Sequence, residues 1–177
     1  MINYKQNMPK EAFLNKQDYE WVKQSRQIVM DQCKQLTTEE LTNDHHFAIR
    51  NVKETLIHIT KCYRNWIGSF LLGHEKVGDF SKEELATMSF ADIEALYTLV
   101  DTYVYEAIDT FEDALHTPVS SASAFKNTVQ KTPHHLLFHA FTHEFHHKGQ
   151  LTAMLHLMGH TPNNINMVQF DSVPNED

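Results

Sequence analysis

Five glycines and five prolines in 177 residues leave long stretches of this chain without a helix breaker. Those stretches carry apolar side chains at three- and four-residue steps, the period of a helix packed on one face. The spacing predicts a first helix from about Lys16 to Leu36, with Tyr19, Val22, Ile28, Val29 and Leu36 supplying much of its apolar face. Thr37-Thr38-Glu39-Glu40 then reads as a turn or a short capped segment. A second helix is expected from about Val52 to Leu72, where Val52, Leu56, Ile59, Tyr63, Trp66, Ile67 and Phe70 recur before Gly73 ends it. Ser89, with Asp92 three residues on as the acid of a capping box, opens a third helix that continues to about Leu115. Pro118-Val119-Ser120-Ser121-Ala122-Ser123 reads as a connecting loop. Thr132-Pro133 opens the fourth helix as cap and first helical residue, and Gly159 closes it. Four long helices imply an all-α four-helix bundle, a fold that builds its sites from inward side chains on facing helices.

The length sits within the ~100–200 residues of one domain, so residues 1–177 are expected to form a single bundle with short flexible tails at both ends. No apolar run approaches the ~20 residues of a membrane helix. The first residues lack the apolar core of a secretory signal, and Cys33 and Cys62 make no disulfide framework, so a reducing cytoplasm is the expected location. The formal charge is −8, and the 15 Lys and Arg are scattered rather than gathered into a stripe that could neutralise phosphates, which argues against nucleic acid as a partner. Thirteen histidines are the compositional oddity, and they crowd the C-terminal half.

Within that crowd, His143-Glu144-Phe145-His146-His147 places two histidines four residues apart, which on a helix point the same way and form a two-point metal clamp. The stretch also fits the H-E-x-x-H pattern of zinc proteases, with Glu144 in the place of the general base. That reading fails downstream. Gln150 and Ala153 stand where H-E-x-x-H-x-x-G-x-x-H needs glycine and histidine, and the only glutamate after His147 is Glu176. His58 is the better third ligand, because it lies mid-helix among Leu56, Ile57 and Ile59, and a facing helix can bring it opposite the pair. Taken alone, His58 is an ordinary core or helix-edge histidine; the clamp on the last helix makes it a ligand candidate.

The run from His139 to Leu151, with Lys148-Gly149-Gln150 where Arg-Gly-Gln is common, resembles the helix-four signature of the DinB/YfiT-like metalloprotein superfamily. The resemblance extends to Leu155-His156-Leu157-Met158-Gly159-His160-Thr161-Pro162 and to Thr55-Leu56-Ile57-His58-Ile59 with Trp66 downstream. It implies an up-down-down-up bundle, often dimeric, in which His58, His143 and His147 hold zinc, nickel or another divalent ion with positions left open. It further implies a transferase that uses bacillithiol, mycothiol or a related low-molecular-weight thiol as cosubstrate and acts on a small molecule. Lys148 departs from the pattern, keeping the charge of arginine but losing its planar fork.

A cation with open positions lowers the pKa of a thiol or water, so thiol transfer to an electrophile and hydrolysis are both feasible. A non-catalytic metal that braces the bundle is the third reading. For hydrolysis Glu144 is the candidate base, although it lies ~100° around the helix from His143, an offset that on a simple wheel points it toward solvent. His135 and His139 continue the histidine stripe, but His135 and His147 are ~18 Å apart along the axis, too far for one ion. That leaves His139 to support the site or to pack. His146 falls on another face, and His45 and His46 precede the second helix near a possible rim. Cys62, one turn beyond His58, is either a soft ligand or a buried small hydrophobe. Tyr63 and Trp66 either line a substrate pocket or pack between helices.

Overall fold

Asn15 starts the first helix as a capping box: its side chain accepts from the N–H groups of Gln17 and Asp18, and Asp18 accepts in return from the Asn15 N–H. A computed structural model describes residues 14–76, 78–121 and 129–170. The expected tails at residues 1–13 and 171–177, and Ala122 and Ser123 of the expected loop, lie outside the described residues.

Helix α1 spans Lys16–Cys33 and ends short of Leu36, which is nevertheless buried. The acidic segment after it forms a one-turn helix α2, Thr38–Thr42, with Thr37 and Glu40 as its capping box. Helix α3, Val52–Tyr63, begins at Asn51, whose side chain accepts from the Glu54 N–H. It continues as a π-helical stretch over Arg64–Leu71, where the Leu72 N–H reaches back five residues to the Ile67 carbonyl at 3.0 Å. The second helix of the sequence reading is therefore one continuous rod that widens halfway, and the wider turn changes which side chains share a face after Tyr63. Gly73, at φ +76°, closes it.

A short helix and a small hairpin were not legible from periodicity. Helix α4, Lys82–Thr87, is a short capped turn between Ser81 and Met88, too brief to show a helical repeat. Helix α5, Phe90–Thr110, starts at Ser89 with Asp92 as expected but stops before Leu115, because Phe111 at φ −113° leaves the helical region and turns follow. What reads as a small-residue loop contains a strand, β1 (Val119–Ser121), paired antiparallel with β2 (Val129–Lys131), Val119 opposite Lys131. Three-residue strands carry too little alternation to be read from sequence. Helix α6, Pro133–Leu157, begins at Thr132, which accepts from the His135 N–H, with Pro133 in the first turn. At its end the N–H groups of Gly159 and His160 return to the His156 and Leu155 carbonyls, with Gly159 at φ +88°. That pattern needs a left-handed residue, which glycine adopts without penalty.

The architecture is all-α, with the small hairpin appended. Helix α3 packs against both α5 and α6, and α6 also packs against α1, so α3 and α6 share the interior. Leu56 and Ile59 of α3, Val100 and Val104 of α5, and Leu137, Leu151 and Met154 of α6 are almost wholly buried. Each such side chain contributes ~1.5–3 kcal/mol by leaving water. Cys33 and Cys62 are free and buried, and burial pushes both thiols up to about 12. Among the described residues, no helix is long and apolar enough to cross a membrane.

Candidate metal centre

The shared interior of α3 and α6 determines what faces what. His58 lies on the side of α3 turned toward α6, and His143 and His147 lie one turn apart on α6. Their rings converge: the centroids of His58 and His143 are 5.1 Å apart, of His58 and His147 4.7 Å, and of His143 and His147 4.4 Å. One nitrogen from each falls within 4.8 Å of the others. The Nε2 atoms of His143 and His147 are 3.2 Å apart, close to the ~3.3 Å that two ligands of a tetrahedral ion at ~2.0–2.1 Å would show. The three histidines can hold a divalent ion.

Electrostatics agree with geometry. Burial lowers the pKa of all three imidazoles, His143 to about 4 with help from the neighbouring His147 and His58. At neutral pH each is therefore uncharged, with one ring nitrogen free to offer a lone pair. The Nδ1 of His147 lies 2.6 Å from the Gln150 side-chain oxygen, which can only accept, so the proton sits on Nδ1 and the lone pair on Nε2. The Gln150 amide nitrogen in turn meets His146 Nε2 at 2.9 Å. His143 has no such tether: its Nδ1 is buried without a hydrogen-bond partner among the described residues.

Glu144 requires the largest correction. The offset that takes it off the histidine face turns it into the centre of the bundle, not toward solvent, and it is 0% exposed. Its Oε1 accepts from Arg26 Nε at 3.0 Å, and its Oε2 from Arg26 Nη2 at 2.9 Å and from the Tyr63 hydroxyl at 2.7 Å. Burial opposes its charge, but Arg26 and Lys148 hold its carboxyl below the usual glutamate range. A carboxylate with both oxygens committed to an arginine and a tyrosine is a brace, and it is poorly placed to act as a base. Of the two readings of Tyr63, lining a pocket or packing between helices, the structure has the second: it is fully buried in this network.

The remaining candidates separate. Cys62 is buried and is not among the grouped metal-capable side chains. Trp66 is half-buried, its ring 5.8 Å from Phe70 and edge-on to His139 at 6.1 Å. His139 is exposed at the rim, 5.8 Å from His143, and His135 and His146 are exposed on α6. His46 is exposed, and His45 packs against Phe47. Lys148 turns away from the histidines toward α1, donating to Ser25 Oγ at 3.0 Å and to the Val22 carbonyl at 3.3 Å, with Glu144 at 3.5 Å. Burial lowers its amine to about 8 despite that carboxylate.

Beside His58 the structure adds a cleft of about 200 Å³, bordered also by Ile57, Lys61, Arg64, Asp79 and Phe80. Sequence reasoning missed it, although Lys61 stands one turn from His58. It also missed Arg26, whose guanidinium joins Glu144 to Asp101 at 2.5 Å and stacks over Tyr97, 4.7 Å from its ring centroid. A lone arginine in an amphipathic helix reads as surface until the helix opposite supplies a buried acid.

The DinB family model matches residues 8–176. A relative in Bacillus subtilis (strain 168), the uncharacterized protein YizA, is 32% identical over 142 residues, covering 77% of this chain and 81% of its own length.

Proposed function

This chain belongs to the DinB family, and on that footing we propose that His58, His143 and His147 hold a divalent ion, zinc or nickel, in a transferase that joins a low-molecular-weight thiol to an electrophilic small molecule. The observation that carries the metal reading is the convergence of three neutral imidazoles, one nitrogen each, within 4.8 Å. Bound there, the ion supplies the positive charge that favours the thiolate form of a thiol near neutral pH. The protein's own residues do the rest. Gln150 holds His147 in the ligating tautomer, and burial keeps His58 and His143 unprotonated. The cleft that His58 borders offers a place for the small molecule. Hydrolysis is supported less well, because Glu144, the base considered for it, is committed to Arg26 and Tyr63. A purely bracing metal is also supported less well, since the Tyr63–Glu144 hydrogen bond already ties α3 to α6.

The test is elemental analysis of untagged protein with a thiol assay beside it. About one divalent ion per chain, lost in His58→Ala, His143→Ala and His147→Ala, together with metal-dependent conjugation of bacillithiol to monochlorobimane, would support the reading. Metal retained in His58→Ala would overturn the ligand set, and metal without thiol turnover would overturn the transferase.

A further inference from the structure

Arg64 opens the π-helical stretch of α3 and borders the cleft that His58 also borders. It is only 8% exposed, and its Nε is buried without a hydrogen-bond partner among the described residues. Phe80 sits against the guanidinium, its ring centroid 5.1 Å from Cζ, a contact that positions the fork without using any of its N–H donors. The other charges of the cleft have hydrogen-bonded or ion-pair partners of their own, and Asp79 acts on Arg64 only through space, without a hydrogen bond. Asp79 gives its carboxylate to Lys61 at 2.6 Å, and Glu54 accepts from the Asn51 side chain at 2.9 Å with Arg50 nearby. What the cleft has left over is one largely buried guanidinium with no hydrogen-bonded counter-charge. A buried cation without a hydrogen-bonded counter-charge is unfavourable unless something arrives to pair with it.

We propose that Arg64 is the anchor for the carboxylate of a small-molecule ligand lying in this cleft, with the ligand's other end toward His58. The proposal rests on the metal-site reading for what happens at that other end, but the anchor itself stands on Arg64 and the cleft. A planar fork pairs two parallel N–H groups with the two oxygens of a carboxylate, which suits a single arginine. The walls next to it, Ile57 and Leu85, are apolar and suit a short hydrocarbon body. Six residues separate His58 from Arg64, roughly 9 Å of helix rise, so the ligand needs an extended chain of several atoms between its two ends.

The probes are mercaptohexanoate and its neutral amide, mercaptohexanamide, titrated calorimetrically into wild type, Arg64→Gln and Arg64→Lys, each zinc-loaded and metal-free. Wild type should prefer the acid by about tenfold, the scale of a charge-assisted hydrogen-bonded pair. Arg64→Gln should bind acid and amide equally, with affinity for the amide unchanged. Arg64→Lys, which keeps the charge and loses the fork, should retain a reduced preference, and it decides the matter if the glutamine variant does not fold. An undiminished preference in Arg64→Lys and Arg64→Gln, or no preference in wild type in either metal state, overturns the anchor. A preference for the acid that survives in metal-free protein, with no gain from zinc, would leave the anchor standing while the metal-site reading falls.

Discussion

Arg26 on α1 and Glu144 on α6 meet through two parallel hydrogen bonds, Nε to Oε1 at 3.0 Å and Nη2 to Oε2 at 2.9 Å, in the interior of the bundle. Glu144 stands next in sequence to His143, so one residue of α6 serves the metal-capable cluster while its neighbour ties two helices together. Breaking such a buried pair from one side costs about 3–5 kcal/mol, because the partner's charge is left uncompensated. Asp101, which also pairs with Arg26, places the expectation at the lower end. Glu144→Gln should therefore lower the urea-unfolding free energy by about 3 kcal/mol without changing how much divalent metal the protein binds. Unchanged stability with lost activity would instead mark Glu144 as a base.

Gln150 acts through His147 rather than on an ion. Removing a group that orients a metal-ligating histidine typically weakens metal binding about 10–100-fold. Gln150→Ala should show a loss of that size in competition with a chelator, whereas His147→Ala should abolish tight binding. Equal losses in the two variants would contradict a supporting role.

The depressed protonation of His143 makes the metal-free protein sensitive to acid. Its imidazole titrates at about 4 in the folded chain and at 6.5 when unperturbed, so between those values the unfolded chain binds a proton that the folded chain refuses. The stability linked to this group is fully present above pH 6.5 and is lost as pH falls toward 4. Thermal midpoints of metal-free His143→Gln should fall less steeply than those of wild type across this window. Parallel slopes would contradict the shift.

Gly68, in the π-helical stretch, faces the Tyr103 ring of α5. A Cβ built on it would lie 2.7 Å from the Tyr103 ring, inside any ordinary contact distance. Overpacking of this kind costs ~1–3 kcal/mol, partly offset by the ~1 kcal/mol that alanine gains over glycine in a helix. Gly68→Ala should destabilise by about 1 kcal/mol in denaturant unfolding, and in a Tyr103→Ala background it should become neutral or stabilising. Additive effects in the double variant would place the strain elsewhere.

The sequence by itself determined the helices that cap and periodicity encode, because those signals are local. Ser89 with Asp92, Thr132 with Pro133, and Gly73 and Gly159 each act within a few residues of themselves, and each sits at the predicted end of its helix. The four-residue step from His143 to His147 is local in the same sense, so two of the three converging histidines could be read from one helix. Tertiary structure alone decided the rest. Whether His58 meets that pair depends on how α3 rolls against α6, and a histidine at a helix edge reads the same in either case. Beside the clamp Glu144 reads as a base, and only Arg26, 118 positions earlier, makes it a brace. The widening of α3 at Arg64 carries no sequence mark, yet it begins at the residue that borders the cleft. Buried charge pairs and clefts form between elements, and their energies depend on distances across the bundle that no local pattern records.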